Sequence, residues 1–550
     1  MSDKARPSFL NYAPVALAFG TSGLRGLTRD ITDLEAYINV RGALRYLFGM
    51  GDLRARSPVV LGGDLRPSTD RIMRACAQAI VDSDCTIQNA GKVPTPALML
   101  HCISKGLPGV MVTGSHIPFD RNGIKVNRSI GEVLKSDEPG ITREVALVRA
   151  QEYARSAQAS IFDASGMLKE ARPLEAIEDS ARAGYVARYR AFPSDGLRGM
   201  RILVYQHSAV GRDILPEILR NLGAEVSLAG RSETFIPIDT ENITDDALRL
   251  FEDFVIASEA RGESLDAIVS TDGDSDRPLV LAVLSAAERA TSGQKVKFLP
   301  GDLLGLVAAE YLGVEAAVVP ISANDAVERR LTSRSVVFRN CKIGSPYVIA
   351  AIDGLRTQDK RRTIVGWEAN GGFLVGTDLT LPSGTLPALP SRDSTLPILA
   401  NLLAAAAAKA DLSTLWSRLP ARFGRAGLID NFPVAVSRAI MSHLIPKDSA
   451  IEVSFDPGKA PTPAWQKSKE LLAKFFGSAG GFDEIVKINT LDGVRVHFRN
   501  GDTAHLRPSG NAPQLRIYAN SSSQKRADEI VAFALAEPNG IMRQLQKQFT

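Results

Sequence analysis

Short apolar runs alternate with longer segments of helical period over the first three quarters of the chain. The apolar runs that predict strands are 58–61, 109–113, 201–205, 265–270 and 363–366. The segments that predict helices include 70–82, 174–190, one that begins near Asp302, and 396–408. This alternation is typical of βα units with parallel sheets.

The last part of the chain has a different pattern. Residues 490–498 and 514–518 predict two strands that flank a turn, and an amphipathic helix follows from Ser523. A polar stretch with serine and glycine at 285–300 separates two of the earlier units. We therefore predict three α/β domains and a smaller α+β domain. The expected bounds are 1–165, 166–290, 291–425 and 426–550.

Composition narrows the functional class. The 550 residues are 45% hydrophobic and 23% charged, as in ordinary globular proteins. The net charge is +4, but the basic residues are not concentrated in one run, which argues against nucleic acid as a partner. The apolar segment 396–408 is too short to span a bilayer, so we expect no membrane partner. Four cysteines without a CxxC pair indicate a reducing compartment, and we expect a cytoplasmic protein without a zinc site.

Three carboxylates follow the predicted strand 265–270 at alternate positions. In an extended backbone Asp272, Asp274 and Asp276 would lie on one side, where their mutual repulsion favours a bound cation. Oxygen ligands without Cys or His suit a hard ion, and Mg²⁺ is the expected one. Ca²⁺ is disfavoured because Val283 stands where an EF-hand loop has its glutamate. A solvated acidic turn is the alternative.

A glycine-containing loop follows the predicted strand 109–113. Ser115 lies in this turn, and a serine hydroxyl can carry a phosphoryl group as a covalent intermediate. His116 and Lys125 could donate hydrogen bonds to that group or move protons. The alternative is a serine-containing turn with a histidine packed nearby.

Three further loops carry side chains suited to phosphate or sugar. Arg25 in loop 19–26 could bind phosphate through two hydrogen bonds. Glu368 and Asn370 in loop 366–372 could bind paired hydroxyls of a sugar. Loop 507–513 could bind an anion through four residues: Arg507, Ser509, Gly510 and Asn511. Each loop taken alone is also compatible with an ordinary surface turn.

Taken in order, these five loops resemble those of the α-D-phosphohexomutase superfamily, over nearly the whole chain from 19 to 518, and within it those of bacterial phosphomannomutases. The pairing of the serine loop with the three-aspartate loop is the most specific part of this resemblance. The resemblance implies three related α/β domains, with mixed sheets and helices on both faces, and a C-terminal α+β domain around a central cleft.

The resemblance also implies an activity, the interconversion of hexose 6-phosphate and hexose 1-phosphate. Ser115 would carry the phosphoryl group, and one phosphoserine oxygen would join the three aspartates in holding Mg²⁺. A hexose 1,6-bisphosphate would be the intermediate and the activator. The residues expected to stabilise the transferring phosphoryl group are Arg25, His116, Lys125 and Arg277.

The same resemblance assigns the binding residues. Glu368 and Asn370 would bind sugar hydroxyls in both orientations of the substrate. The residues expected to hold the non-reacting phosphate are Lys342, Arg507, Ser509, Gly510 and Asn511. The expected partner is a small phosphosugar, and we expect a monomer or a dimer.

The chain departs from the common pattern of the superfamily in several places. Ser345 and Gly372 stand where many relatives have histidine, and Ser275 replaces a glycine of the metal loop. The sugar and C-terminal loops have Asn370 and Asn511-Ala512 where relatives have other residues. With two imidazoles missing, Lys125 is the predicted general base.

The preferred reading is a mutase for mannose phosphates. Phosphoglucomutase and phosphoglucosamine mutase are the alternatives of the same class. A metal-dependent sugar phosphatase with the same serine loop and a silent phosphosugar-binding protein are alternatives of other classes. The presence of Ser115 beside three aspartates disfavours a silent binder, which needs no serine that can be phosphorylated.

Overall fold

A computed structural model describes residues 9–20, 23–241, 243–456, 458, 461–509 and 513–549. The chain forms two compact units. The first consists of Met1–Val318 and Gly344–Trp416, and the second of Val319–Ile343 and Ser417–Thr550. None of the helices in these ranges is long and apolar enough to cross a membrane.

The first α/β region of unit one contains a mixed sheet. Its strands are β1 Ala18–Phe19, β2 Leu24–Leu27, β3 Pro58–Gly63, β4 Thr86–Lys92, β5 Gly109–Val112, β6 Arg121–Arg128 and β7 Gly131–Glu132. Its helices are α1 Asp33–Gly49, α2 Thr69–Val81, α3 Thr95–Lys105 and α4 Glu138–Tyr153. The strand order is β1-β2-β6-β5-β3-β4, with β7 paired to β6. β3, β4 and β5 are parallel, so their carboxyl ends meet at one edge.

The second α/β region of unit one repeats this plan. Its helices are α5 Ser180–Arg188, α6 Ile214–Asn221, α7 Asp245–Ala260 and α8 Ala286–Ser292. Its strands are β8 Arg201–Tyr205, β9 Glu225–Ala229, β10 Ala267–Thr271, β11 Pro278–Val283 and β12 Val296–Phe298, in the order β12-β11-β10-β8-β9. β10 and β11 are buried along their whole length, because neighbouring strands pair with their edges and helices pack against the sheet.

The third segment is shared between the units. The elements in unit one are α9 Gly301–Tyr311, α11 Ser345–Gln358, β15 Ile364–Trp367, β16 Phe373–Val375, β17 Leu379–Leu381, β18 Gly384–Leu386, β19 Leu389–Asp393, α12 Thr395–Ala407 and α13 Leu412–Trp416. β13 Ala316–Pro320 runs parallel to β15. β16 is antiparallel to both β15 and β19, while α10 Asp325–Ser333 and β14 Val337–Cys341 belong to unit two.

Unit two also contains an antiparallel sheet. Its strands are β20 Phe423–Ile429, β21 Glu452–Ser454, β22 Ile485–Asn489, β23 Val494–Phe498, β24 Thr503–Pro508 and β25 Leu515–Ser521, in the order β20-β25-β24-β23-β22-β21. Its helices are α14 Val434–Leu444, α15 Pro463–Phe475, α16 Gln524–Leu535 and α17 Ile541–Phe549. Alternate residues such as Val494, Val496 and Leu506 are buried in one core with these helices.

The predicted fold class is confirmed, with mixed α/β sheets followed by an α+β unit. β8 has the predicted bounds, and α2 and α12 begin within one residue of prediction. The domain bounds themselves stay a prediction.

Two element predictions are wrong. The helix predicted for 174–190 begins only at Ser180. The Asn89 carbonyl accepts from the Glu178 amide at 2.8 Å, and Asn89 Nδ2 donates to the Glu175 carbonyl at 2.6 Å. These bonds occupy backbone groups that a helix would need for its own hydrogen bonds. The strand predicted for 490–498 begins at Val494, after a turn with Gly493 at φ +87°. Three elements were not predicted at all. β24 lies in the segment predicted as a turn, and α8 and β12 lie in the polar stretch 285–300.

Candidate active site

The three aspartates lie in the connection between β10 and β11. Asp272, Asp274 and Asp276 are fully buried, and each offers an oxygen within 4.8 Å of those of the other two. The antiparallel pair Thr271–Pro278 closes this connection into a tight loop. The backbone amides of Asp276 and Arg277 both donate to Asp272 Oδ1 at 3.1 Å, which turns the loop back on itself.

The hydrogen bonds of the triad leave oxygens available for a cation. Oδ2 of Asp274 accepts from Lys125 Nζ and Thr95 Oγ1, and Oδ2 of Asp276 accepts from Arg392. Oδ1 of each of these two aspartates is buried without a hydrogen-bond partner in the described chain. Buried unpaired carboxylate oxygens are costly unless a cation neutralises them. The donor set therefore fits a hard metal ion.

Burial and charge shift the pKa values of Asp272 and Asp274 in opposite directions. Burial, reinforced by repulsion from Asp274 and Asp276, raises the pKa of Asp272 well above its ordinary value. Burial also acts to raise the pKa of Asp274, but the ammonium of Lys125 outweighs it and lowers that pKa overall. Asp272 and Asp274 differ because Asp274 accepts a hydrogen bond from the ammonium of Lys125, whereas the side-chain donor to Asp272 is the neutral hydroxyl of Ser115.

Ser115 is directed at this triad. Its Oγ donates to Asp272 Oδ2 at 2.8 Å, and His116 Nδ1 lies 3.4 Å from the same hydroxyl. The backbone of Ser115 is left-handed, with φ +55°, and its amide donates to Thr113 Oγ1 at 2.8 Å. A non-glycine residue in this conformation is strained, and such strain is found where surrounding structure holds a functional side chain in place.

Two residues that the sequence analysis did not single out hold the serine loop. The guanidinium of Arg66 donates to carbonyls of the loop, among them Ser115 at 2.8 Å, and lies 4.0 Å from the centre of the Phe235 ring. Asp64 stands 3.3 Å from Arg66 Nε and accepts from Thr113 Oγ1 at 2.7 Å. The sequence did contain a signal for both residues, because Asp64 and Arg66 follow the carboxyl end of β3, where ligand sites gather in α/β sheets.

Lys125 and Arg277 surround the triad with positive charge. Lys125 Nζ lies 2.8 Å from Asp274 Oδ2 and 3.3 Å from Asp276 Oδ2. Burial alone would lower the pKa of Lys125, but these two carboxylates raise it above its ordinary value. Arg277 Nε lies 3.7 Å from Asp276 Oδ1 and 3.9 Å from Asp272 Oδ2. Lys125 is thus an ammonium at neutral pH, a form that stabilises negative charge and does not accept a proton.

His116 and Arg25 complete the group around Ser115. Burial lowers the pKa of His116 to about 2, and the positive charges of Arg277 and Arg25 act in the same direction, so its imidazole is neutral at pH 7. Burial and the nearby charge of Arg277 lower the pKa of Arg25 to about 10, which leaves it positively charged. Arg25 lies on β2 opposite Gly123 of β6, on the strand that carries Lys125.

The predicted sugar loop lies next to the triad. Glu368 and Asn370 are buried, and Arg392 Nη1 donates to Glu368 Oε2 at 3.1 Å. Asn370 holds the loop itself, because its Oδ1 accepts from the Gly372 amide at 2.9 Å and its carbonyl accepts from Thr240 Oγ1 at 3.0 Å. The side-chain NH₂ of Asn370 is therefore the group left to donate to a ligand. Arg392 was not predicted, and no local motif marks it.

The structure gives a physical reason for two departures from the usual pattern. Ser275 has φ +56°, and its Oγ accepts from the Gly211 amide at 2.9 Å and from Thr271 Oγ1 at 2.8 Å, which offsets the strain of a side chain in this conformation. Ser345 is buried at the start of α11, where its hydroxyl donates to Glu132 Oε2 at 2.9 Å. Ser345 is therefore engaged within the protein.

Within unit two, the predicted phosphate-binding residues are only partly described. Arg507 Nε donates to Asp492 Oδ2 at 2.9 Å, and the Ile343 amide donates to the same oxygen at 3.0 Å. Asp492 thus links Arg507 to the segment of Lys342, whose side chain is exposed. The Ser509 amide donates to the Gln514 carbonyl at 2.9 Å. Gly510 and Asn511 lie outside the described residues.

Comparison with known proteins agrees with this architecture. Family models match residues 16–151 (phosphoglucomutase/phosphomannomutase, alpha/beta/alpha domain I), 300–423 (alpha/beta/alpha domain III) and 456–537 (C-terminal domain). A phosphomannomutase of Sinorhizobium fredii is 36% identical, covering 95% of this chain and 99% of its own, and one of Salmonella muenchen is 34% identical, covering 94% and 95%. The crystal structure of a phosphoglucomutase/phosphomannomutase family protein from Burkholderia thailandensis has a TM-score of 0.63 at 17% identity, covering 96% and 97%.

The match to the solved structure, at 17% identity, shows the fold alone, whereas the family models and the two relatives show the family. The chain belongs to the phosphoglucomutase/phosphomannomutase family. The resemblance to phosphohexomutases is thereby confirmed, and so is the predicted enzyme class, an intramolecular phosphotransferase that acts on hexose phosphates. The three buried aspartates are a group of carboxylates that could hold a metal ion.

Proposed function

We propose that this protein interconverts mannose 6-phosphate and mannose 1-phosphate through a phosphoserine at Ser115 and a mannose 1,6-bisphosphate intermediate. The observation that carries the proposal is the 2.8 Å hydrogen bond from Ser115 Oγ to Asp272 Oδ2. It places a hydroxyl, held in a strained left-handed turn, beside a buried triad whose unpaired oxygens suit a cation. Covalent phosphoryl transfer needs this combination of nucleophile and charge neutralisation.

Mg²⁺ is the proposed metal, held by Asp272, Asp274 and Asp276 together with a phosphoserine oxygen. When bound, it supplies Lewis-acid polarisation and neutralises charge on the phosphoryl group. The ligand set favours it, since all donors are carboxylate or phosphate oxygens. Arg25, Lys125 and Arg277 add positive charge around Ser115, while neutral His116 can donate one hydrogen bond to a phosphoryl oxygen.

The reaction then balances within the site. The C1 hydroxyl of hexose 6-phosphate attacks phosphorus, and the new P–O bond forms as the bond from Ser115 Oγ to phosphorus breaks. The proton of the attacking hydroxyl leaves to a base, and the departing Ser115 oxygen takes up a proton. The bisphosphate turns over and returns its other phosphoryl group to Ser115, which leaves hexose 1-phosphate. Lys125 remains the predicted base, and its raised pKa means that it must first lose a proton to act so.

Two groups of residues are proposed to hold the substrate. Glu368 would accept hydrogen bonds from sugar hydroxyls, and the side-chain NH₂ of Asn370 would donate one. The phosphate that does not react is proposed to bind the four residues Lys342, Arg507, Ser509 and Asn511, with the backbone of Gly510. The link of Arg507 and Ile343 through Asp492 supports a common site for two of these loops.

A glucose or glucosamine phosphate is the alternative substrate, because the stereochemistry at C2 is read by only a few contacts. The deciding experiment is a coupled assay of mannose, glucose, glucosamine and N-acetylglucosamine phosphates with a trace of the matching 1,6-bisphosphate. Mannose phosphates should give the highest kcat/KM. A higher value for another sugar would replace the proposed substrate, and free phosphate release in place of isomerisation would indicate the phosphatase.

A silent binding protein is tested separately by intact mass. The wild-type protein incubated with a hexose 1,6-bisphosphate should gain one phosphoryl group, about 80 Da from the mass of HPO₃, as phosphoryl transfer to a nucleophile requires. Ser115→Ala should gain none. Equal labelling of both proteins would exclude Ser115 as the acceptor, and no labelling of either would favour the silent binder.

A further inference from the structure

Arg392 joins the metal loop to the sugar loop. Its Nε and Nη2 lie 2.9 and 2.8 Å from Asp276 Oδ2, and its Nη1 donates to Glu368 Oε2 at 3.1 Å. Its side chain is only 4% exposed, so both ion pairs are sheltered from water. One planar guanidinium thus fixes the distance and orientation between a proposed metal ligand and the carboxylate proposed to bind sugar.

The site is shaped to admit this arginine. A Cβ added at Gly372 would lie 2.5 Å from Cδ, 2.7 Å from Cγ and 3.0 Å from Cβ of Arg392. These are its three nearest contacts, and the backbone of Gly372 is not in the left-handed region. Glycine is therefore needed here to leave room for Arg392, and not because of the backbone conformation.

The neighbours of Arg392 anchor its backbone. Asp393 accepts hydrogen bonds from the hydroxyls of Tyr185 and Tyr189, at 2.7 and 2.6 Å. On the other side, Ser391 Oγ donates to Glu132 Oε1 at 2.9 Å. With both flanking side chains bound in this way, Arg392 leaves the end of β19 in a defined direction. Such support around a charged side chain is what precise placement of a ligand-binding group requires.

We propose that Arg392 is a positioning residue that orients Glu368 for the sugar hydroxyls and uses Asp276 as its second anchor. The inference rests on the proposed function and deepens it. Without the guanidinium, Glu368 loses its ion pair and can turn away from the substrate. Asp276 in turn loses a nearby positive charge that opposes a cation. Loss of Arg392 should therefore weaken sugar binding without weakening metal binding.

The test compares Arg392→Ala and Arg392→Lys with wild type in KM, kcat and direct binding. Mannose 1-phosphate binding is measured by calorimetry in a Ser115→Ala background, so that it does not depend on turnover. Mg²⁺ binding is measured in the same way. Arg392→Ala should raise KM and the sugar-phosphate Kd about tenfold or more, as loss of a charged hydrogen bond does. Its Mg²⁺ Kd should stay equal or fall.

Arg392→Lys should recover part of the loss, since an ammonium can reach only one of the two carboxylates at a time with good geometry. Gly372→Ala should reproduce the effect of Arg392→Ala, because its methyl group displaces the arginine. The double variant should be no worse than Arg392→Ala alone, the non-additivity expected of residues in contact. Arg41→Ala is the matched control, because Arg41 also pairs with a buried carboxylate, Glu152, and donates to Tyr37, and neither residue belongs to the site.

Several outcomes would overturn the proposal. Unchanged sugar-phosphate affinity in Arg392→Ala would do so, as would a parallel loss of sugar and Mg²⁺ affinity, which indicates a general structural role. Additive effects of the Gly372 and Arg392 changes would remove the steric argument. If circular dichroism shows that Arg392→Ala does not fold, the same measurements are made on Gly372→Ala and Arg392→Lys. Failure of the proposed function is distinguished by the wild type, which would then neither bind nor convert any hexose phosphate.

Discussion

The hydroxyl of Ser115 donates to Asp272 Oδ2 at 2.8 Å across a sequence separation of 157 residues. A group attached to Ser115 Oγ therefore adjoins a triad of buried carboxylates from a different α/β region. Ser115 lies in the loop after β5, whereas Asp272 follows β10. The nucleophile and its charge neutralisation come from two sheets, and each sheet supplies its residues near the carboxyl end of a strand.

Replacement of Ser115 by alanine should reduce mutase turnover by about a thousandfold or more, since removal of a covalent nucleophile costs several orders of magnitude. The fold should persist because Ser115 lies in a loop, and the thermal midpoint checks this. Ser156→Ala, in an exposed turn, is the control and should retain full activity. Residual activity above about one per cent of wild type would refute the nucleophile assignment.

Removal of divalent metal should abolish activity, and Mg²⁺ should restore it better than Ca²⁺ because the smaller ion polarises phosphate oxygens more strongly. Asp274→Asn should raise the Mg²⁺ concentration for half-maximal activity at least tenfold, since an amide has no negative charge to offer the cation. The measurement is activity against free Mg²⁺ after exhaustive chelation. Full activity of the chelated protein would contradict a metal role for the triad.

The two possible roles of Lys125 are separated by charge-preserving substitution. Its ion pairs with Asp274 and Asp276 raise its pKa, so the structure favours a cation that stabilises the phosphoryl group. If Lys125 acts as such a cation, Lys125→Arg should retain at least ten times the kcat of Lys125→Ala. A general base would instead show equally low kcat in both variants. The pH profile gives a second check, because a base with a raised pKa would make activity rise steadily towards alkaline pH.

Arg507→Ala should raise KM for hexose phosphates about tenfold, because one charged contact to the non-reacting phosphate is lost. Turnover should fall as well if remote binding energy is used to position the reacting group. Asp492→Asn should have a smaller effect in the same direction, since Asp492 holds Arg507 at 2.9 Å. Arg499→Ala, on an exposed turn of unit two, is the control. Unchanged kinetics of Arg507→Ala would remove the C-terminal loop from the substrate site.

Unit two should lose stability in acid through His505. Burial lowers the pKa of this histidine to about 4, below its ordinary 6.5, and outweighs the hydrogen bond from its Nε2 to the Asp492 carbonyl, which acts to raise that pKa. The unfolded chain therefore binds the proton more readily between these values, and stability present above pH 6.5 is lost as the pH falls towards 4.

The loss from His505 should reach about 3 kcal/mol at pH 4, on the order expected from a shift of this size. It is measured as the free energy of unfolding in urea at pH 7.5, 5.5 and 4.5. His505→Gln should weaken the dependence over this window, whereas His443→Gln, an exposed histidine, should leave it unchanged. A dependence identical in all three proteins would show that other groups cause the acid effect.

Local pattern was enough to predict much of the fold and several residues of the site. The burial of β10 and the three aspartates behind it follow from an apolar run and residue spacing, both properties of a few adjacent residues. The same holds for α12, whose apolar run predicted a helix. The order of the loops then indicated the family, because Ser115, Glu368 and Arg507 each lie in a recognisable local motif.

Tertiary structure decided what depends on distant partners. Residues 174–178 have a helical pattern, yet bonds to Asn89 on β4 keep them out of the helix. Arg392 lies in a segment without a marked motif, and its role became visible only through the two carboxylates that it contacts. The protonation of Lys125 also depends on the tertiary structure, because its pKa is set by burial and by charges that are near it in space. Periodicity reports local backbone preference, whereas these contacts join segments whose proximity only the folded chain creates.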